Sequence, residues 1–213
     1  MDDPVASILL ITASPYGRAS RGAILAMQAV KNLQRKDPSL ELVERDLSVL
    51  ADATVHSVYA DAIVGGHSHD SEVFTLSEQL IRELEDAAFV VIATPMHNYT
   101  VPASLKMWID FVLRYGRSFA TIDGIKKGFI ENRPTLVVVT AGGIVAGEGK
   151  FQPDHLTGYL GDVLTTIGIT GLKFVYLDGL ASPARAEQVT IEGAKTIARD
   201  EVFGVGEPTP AFA

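Results

Sequence analysis

Val5-Ala6-Ser7-Ile8-Leu9-Leu10-Ile11-Thr12-Ala13, followed at once by Ser14-Pro15-Tyr16-Gly17-Arg18-Ala19-Ser20-Arg21-Gly22, decides the fold. The first run is almost continuously apolar, as a strand is when both faces of a parallel sheet are covered. The second run holds turn formers, hydroxyls and arginines, and it opens a helix. From Ser20 to Lys36 the apolar residues Ala23, Met27, Val30 and Leu33 fall at helical spacing, and Asp37-Pro38 stops the pattern. Strand, polar loop and amphipathic helix in that order are the opening of a βαβ unit.

The same alternation continues along the chain. Leu40–Leu47 alternates more and carries Glu44, Arg45 and Asp46, which suits a second strand toward the sheet edge. Ser48–Asp70, with Gly65-Gly66 and three histidines, reads as a loop with a little helix. Val73, Leu76, Leu80 and Leu84 mark the next helix, and Ala87–Thr94 (AAFVVIAT) is a buried strand stopped by Pro95. Pro102 sits where a helix starts, and Leu105, Trp108, Ile109 and Val112 form its apolar stripe. Gly116–Arg133 is a connection with room for a short hairpin. Thr135–Thr140 (TLVVVT) is another buried strand, ending near Gly142-Gly143. A helix striped by Leu156, Tyr159, Leu160, Val163, Leu164 and Ile167 follows, then a last strand over Leu172–Leu177. Ala186, Val189, Gly193, Ala194 and Ile197 predict a final helix before a loose tail. Five strands alternating with helices predict one α/β domain over residues 1–213. It is a three-layer sandwich with a parallel sheet in the order 2-1-3-4-5.

Composition narrows the function. With 213 residues, 47% apolar, the chain can bury a sizeable core. The formal net charge of −8 gives no basic footprint for nucleic acid and predicts repulsion from anionic membrane surfaces. The absence of cysteine excludes disulfides, thiolate catalysis and cysteine-held metals. No run of roughly 20 apolar residues is present to span a bilayer, and no leader pattern opens the chain, so a cytoplasmic protein is expected.

In a sheet of this order, ligands bind beyond the carboxyl ends of the strands, where the strand order reverses. Three loops of unusual composition end up there. The loop after strand 1 offers Ser14, Ser20, Arg21 and Gly22 at a helix start, where free N–H groups favour an anion. It has no G-x-G-x-x-G or Walker spacing, so a mononucleotide phosphate fits better than a dinucleotide. A capped turn with solvated arginines explains the same residues. The loop after strand 3, Pro95-Met96-His97-Asn98-Tyr99 up to Pro102, is stiffened by its prolines. It offers apolar and hydrogen-bonding surface to a planar heterocycle, or else makes a rigid turn with an exposed histidine. The loop after strand 4, Thr140-Ala141-Gly142-Gly143, allows close backbone approach by a ligand, or else makes a tight turn.

At these residues the chain resembles the FMN-dependent NADH-azoreductases, a branch of the flavodoxin-like NAD(P)H:quinone oxidoreductases. That family's S-P-R-G-x-x-S-x-S is SPYGRASRG here, over 14–22. Its P-M-Y-N-F-x-I-P-S-x-L-K-x-W-I-D is PMHNYTVPASLKMWID, over 95–110, and its S-R-G-G is TAGG, over 140–143. YLGDVLTTIGITGLKFVYLDG, over 159–179, matches the family's late helix and last strand. The resemblance implies a flavodoxin-like fold with FMN as cofactor, NADH or NADPH as co-substrate, and a quinone or azo compound as acceptor. It implies two-electron ping-pong hydride transfer, with the flavin carrying the chemistry, in a homodimer with each active site at the interface. It implies phosphate-side contacts from Ser14, Ser20, Arg21 and Gly22, and ring contacts from Pro95, Met96, His97, Asn98, Tyr99, Thr140, Ala141, Gly142 and Gly143. Gly22 stands for a usual serine, His97 for a tyrosine, and Thr140-Ala141 for Ser-Arg.

No side-chain nucleophile is needed. His97 is a candidate proton donor to an acceptor, since imidazole titrates near neutral pH; a solvated loop histidine is the plainer alternative. His67 and His69, near Asp61 and Asp70, lack a recognised ligand spacing, and no metal is expected. Trp108 is expected in the core. The alternatives to this enzyme are a flavodoxin-like electron carrier without its own NAD(P)H activity, a flavin or metal-ion reductase, and a non-catalytic binding module on the same fold.

Overall fold

The computed structural model describes residues 6–50 and 53–205. Val5, the expected start of the first strand, and the expected tail past residue 205 lie outside the described residues.

The apolar runs form the strands. β1 (Ser7–Thr12), β2 (Glu41–Asp46), β3 (Ala87–Pro95), β6 (Thr135–Thr140) and β7 (Lys173–Leu177) make a parallel sheet in the order β2-β1-β3-β6-β7. By rank in the sheet this is the expected 2-1-3-4-5. The two extra strands, β4 (Phe119–Ile122) and β5 (Ile125–Gly128), pair antiparallel across Asp123-Gly124. Both turn residues have positive φ, as a two-residue hairpin turn requires. The hairpin therefore occupies the connection over 116–133 without joining the main sheet.

Alternation along each strand divides the core into two faces. Ile8 and Leu10 of β1, Val91 and Ala93 of β3, and Leu136 and Val138 of β6 pack on α1 (Arg21–Lys36) and α6 (Pro183–Arg199). Leu9, Ile11, Val90, Ile92, Val137 and Val139 face the other way. They meet α3 (Thr75–Asp86), α4 (Ala103–Val112) and α5 (Thr157–Ile167). Fully burying one such side chain stabilises by about 1.5–3 kcal/mol. Trp108 is fully buried in this second layer, as core packing predicts. α2 (Ser57–Val64) and a 3-10 turn at Leu47–Leu50 are the little helix expected around residues 48–70.

One polar cluster is buried in the same layer. Arg114, just past α4, is 1% exposed. Its guanidinium donates to Glu78 Oε1 and to Ser77 Oγ at 2.9 Å, and lies 4.3 Å above the Phe74 ring. Arg117 bonds the same Glu78 and reaches both carboxylate oxygens of Glu85 at 2.7 and 2.8 Å. Burial would push the Glu78 carboxyl up, but Arg114 and Arg117 together hold it below the ordinary carboxylate value. His69 Nδ1 lies 3.4 Å from the Arg114 guanidinium. Among the described residues no three His, Cys, Asp or Glu side chains gather as a metal site, and no helix is long and apolar enough to cross a membrane.

Candidate functional site

Register brings three loops out side by side. Thr12 pairs with Ala93 and Pro95 with Thr140, so β1, β3 and β6 end at one level. Backbone bonds carry the alignment into the loops: Ala13 N–H donates to Ala93 O at 2.9 Å, Met96 N–H to Thr140 O at 2.7 Å, and Ala141 N–H to Leu177 O at 2.9 Å.

The first loop enters α1 through a cap. Ser20 Oγ accepts from Ala23 N–H at 3.2 Å. The N–H groups of Arg21 and Gly22 then have no acceptor among the described residues, as expected for a helix start. Ser14 is buried, and its Oγ accepts from Tyr16 N–H at 3.2 Å. Arg18 is committed to Glu44 of β2 at 2.5 Å, while Arg21 is exposed and makes no ion pair among the described residues. Gly22 is buried against β6, and a Cβ there would lie 3.0 Å from Thr140 Cγ2. The glycine at 22 and the threonine at 140 are therefore two halves of one contact: the methyl of one uses the space that a side chain on the other would need.

The second loop is a tight turn. His97 and Thr100 exchange backbone bonds of 2.9 and 3.1 Å, and between them Asn98 (φ 49°) and Tyr99 (φ 73°) lie in the left-handed region. Such a conformation costs a bulky residue about 1–3 kcal/mol, so neighbours must hold it. His155 does so, donating its N–H to Tyr99 O at 2.9 Å and accepting from Thr100 Oγ1 at 3.4 Å. Met96 is half-buried; His97, Asn98 and Tyr99 are exposed.

The third loop turns its carbonyls away from the site. Ala141 O, Gly142 O and Gly143 O accept from the N–H groups of Leu180, Ala181 and Gly179, at 3.1, 3.1 and 2.9 Å. The N–H groups of Gly142 and Gly143 meet no oxygen among the described residues. The loop's continuation is fixed by Asp178, which is 4% exposed. Its Oδ2 accepts from Val145 and Ala146 N–H at 3.0 Å each, and its Oδ1 from Arg185 at 2.8 Å. Burial would raise the Asp178 carboxyl, but Arg185 and the two N–H groups hold it below the ordinary range. Asp154 plays the same part at the start of α5. It accepts from Leu156 and Thr157 N–H at 2.9 Å each and from Tyr176 Oη at 3.0 Å. Burial first, and that carboxylate next, push the Tyr176 phenol up to about 12.

Between the second and third loops lies a crevice of about 290 Å³, lined by Met96, Asn98, Tyr99, Ala141, Gly142, Gly143 and Gln152. Six of the seven are residues that the sequence singles out. Pro95, His97 and Thr140 frame the crevice from the strand ends without lining it, and Ser14, Ser20, Arg21 and Gly22 lie at the neighbouring strand end. Sequence reasoning misses Gln152, Asp178 and Asp154. Their partners lie across the fold or across a glycine-rich loop, and no local spacing marks them. A separate cavity of about 500 Å³ involves Ala62–Val64, Gly66–His69, Phe74 and Arg114–Gly116 and shares no residue with the crevice.

Residues 6–199 match the family described as having a flavodoxin-like fold. A protein named FMN-dependent NADH:quinone oxidoreductase 4, from Pseudomonas fluorescens, is 44% identical over 190 residues, covering 89% of this chain and 92% of its own length. FMN-dependent NADH:quinone oxidoreductase 5 of Burkholderia lata is also 44% identical, covering 82% of this chain and 86% of that protein. Among solved structures, an azoreductase from Bacillus anthracis superposes with a TM-score of 0.77 at 18% identity, over 90% of this chain and 96% of that one. At that identity the likeness speaks for the fold.

Proposed function

The chain belongs to the flavodoxin-like family of FMN-dependent NADH:quinone oxidoreductases, and from that premise we propose that it oxidises NADH and passes two electrons to a quinone or an azo compound. The observation that carries this reading is the supply of free donors after β1 and β6, on either side of the loop after β3. Arg21, Gly22, Gly142 and Gly143 release N–H groups at the switch point of the sheet, while the carbonyls of the third loop are used elsewhere. That set fits FMN: an anion at the start of α1 and ring carbonyls against the crevice. Bound there, FMN supplies the hydride chemistry.

The chain's own residues hold and tune the group. Ser14, Ser20, Arg21 and Gly22 take the phosphate side; Pro95, Met96, His97, Asn98, Tyr99 and Thr140-Ala141-Gly142-Gly143 take the ring side. The left-handed Asn98-Tyr99 turn, tied to His155, presets the backbone of the second loop, so little ordering is left to binding. N–H groups aimed at ring carbonyls stabilise negative charge when the bound group is reduced. Donor and acceptor take turns at one open face, which is ping-pong exchange. NADPH is the weaker donor in this reading, following the relatives' names.

The working unit is a homodimer. Supporting it are exposed apolar residues on α2 and the hairpin: Val58, Val64, Ile122 and Ile125 are 63, 89, 45 and 71% exposed. The cytoplasm is the compartment we assign, because reduced nicotinamide is supplied there. Steady-state NADH oxidation, with a benzoquinone varied at several NADH concentrations, tests the reading. Parallel double-reciprocal lines are expected. FMN binding without NADH oxidation would replace the enzyme with an electron carrier.

A further inference from the structure

The crevice is rich in donors and short of acceptors. Gly142 and Gly143 present N–H groups, and the carbonyls of Ala141, Gly142, Gly143 and Tyr99 are each engaged by another backbone N–H. Two carboxamides line it, the exposed Asn98 and the half-buried Gln152, and only that of Gln152 lies over Gly143. Its carboxamide lies so close over Gly143 that a Cβ on that glycine would collide with it, and among the described residues neither its oxygen nor its nitrogen has a partner. Nothing local calls it into this position. It follows a stretch containing Gly147 and Gly149 (φ 69° and 82°), and its own N–H and that of Phe151 share Ile144 O as acceptor. A carboxamide held unpaired against a cavity wall offers one acceptor and two donors to whatever enters.

A flavin ring edge demands that combination. Its pyrimidine part alternates carbonyl, N3–H and carbonyl, so backbone N–H groups can serve the carbonyls but cannot accept from N3–H. We propose that Gln152 Oε1 accepts the N3–H of the bound flavin while its Nε2 donates to an adjacent ring carbonyl. Gln152 is thereby a cofactor-binding residue, and the glycine at 143 is the clearance its side chain needs. The inference rests on the FMN reading above and deepens it.

The test compares binding of FMN and of 3-methyl-FMN, whose methyl group removes the N3 proton, by quenching of flavin fluorescence in the wild type and in Gln152→Ala. The wild type should bind FMN about fivefold or more tightly than the methyl analogue. Gln152→Ala should bind FMN about fivefold more weakly than the wild type and treat the two flavins alike. Gln152→Glu, which keeps an acceptor but loses the donor and adds charge, should retain the discrimination at lower affinity. Equal discrimination in wild type and Gln152→Ala, or unchanged FMN affinity in that variant, would overturn the inference and leave the functional reading standing. A wild-type chain that binds neither flavin would overturn both.

Discussion

At the end of α4, Arg114 turns its guanidinium into the protein and meets Glu78 Oε1 and Ser77 Oγ; at the end of β6, beside the crevice, the N–H groups of Gly142 and Gly143 have no hydrogen-bond acceptor among the described residues. Both places put strong donors beside an apolar layer. In the first, every charge is answered from within, by Glu78, and by Arg117 and Glu85 beyond it. In the second, the answer has been left out, and the carbonyls that could have supplied it are bonded to the loop after β7. A closed polar cluster secures the fold; an open one waits for a ligand. The contrast predicts that substitutions in the first region act on stability and those in the second on flavin binding.

The largest expected effect is on the closed side. Arg114→Ala strands the buried Glu78 carboxylate and should cost about 3–5 kcal/mol of unfolding free energy in a urea titration. A loss under about 1 kcal/mol, the size expected of an exposed pair, would break the comparison. Asp178→Ala sits between the two regions, because this buried carboxylate holds the third loop in place. Two backbone donors and Arg185 lose their acceptor, so stability should fall by about 1–3 kcal/mol and FMN affinity should fall with it. A stability loss with unchanged flavin affinity would show that loop position and binding are independent.

Gly22→Ser should cost about 1 kcal/mol by crowding Thr140, with weaker FMN binding at the start of α1. In the double variant with Thr140→Ser, which removes the methyl, most of that loss should return; strictly additive losses would refute the pairing. Acid should act through Asp154, Asp178 and Asp200, whose carboxyls are all held below 3.8. Burial opposes the shift in each, and hydrogen bonds and, for Asp178 and Asp200, a neighbouring cation outweigh it. A depressed folded value stabilises fully above the unfolded value of about 3.9 and is lost as pH falls through the folded one. Unfolding free energy followed by circular dichroism should therefore decline below about pH 4, and Asp154→Asn should flatten part of that decline. His97→Ala should matter least. Its ring is exposed and outside the crevice lining, so acceptor reduction should change less than about threefold, whereas an obligatory general acid would cost about 100-fold.

The fold was legible because burial on both faces leaves a signature in the strands. Ser7–Thr12, Ala87–Pro95 and Thr135–Thr140 are apolar almost throughout, and helical spacing between them admits few orders. The candidate crevice was legible where it is built from loop residues at strand ends, as at Met96, Asn98, Tyr99 and Ala141–Gly143. It was illegible where a residue works at a distance. Gln152 lies past two glycines whose turns cannot be traced from spacing, and Asp178 looks like any residue after a strand until Val145 and Ala146 are seen to donate to it. The pairing of Gly22 with Thr140 spans 118 positions and exists only because α1 crosses over β6. The left-handed Asn98 and Tyr99 carry no glycine to announce them.

The central claim is that the donors released after β1 and β6, with the loop after β3 between them, hold FMN where NADH can reduce it. The most direct measurement is the absorption spectrum of the purified protein with FMN, followed anaerobically as NADH is added and then a quinone. The account predicts a bound-flavin spectrum that bleaches with one equivalent of NADH and returns with one equivalent of quinone. Free-flavin bands unaltered by the protein, or a bound flavin that NADH does not bleach, would contradict it.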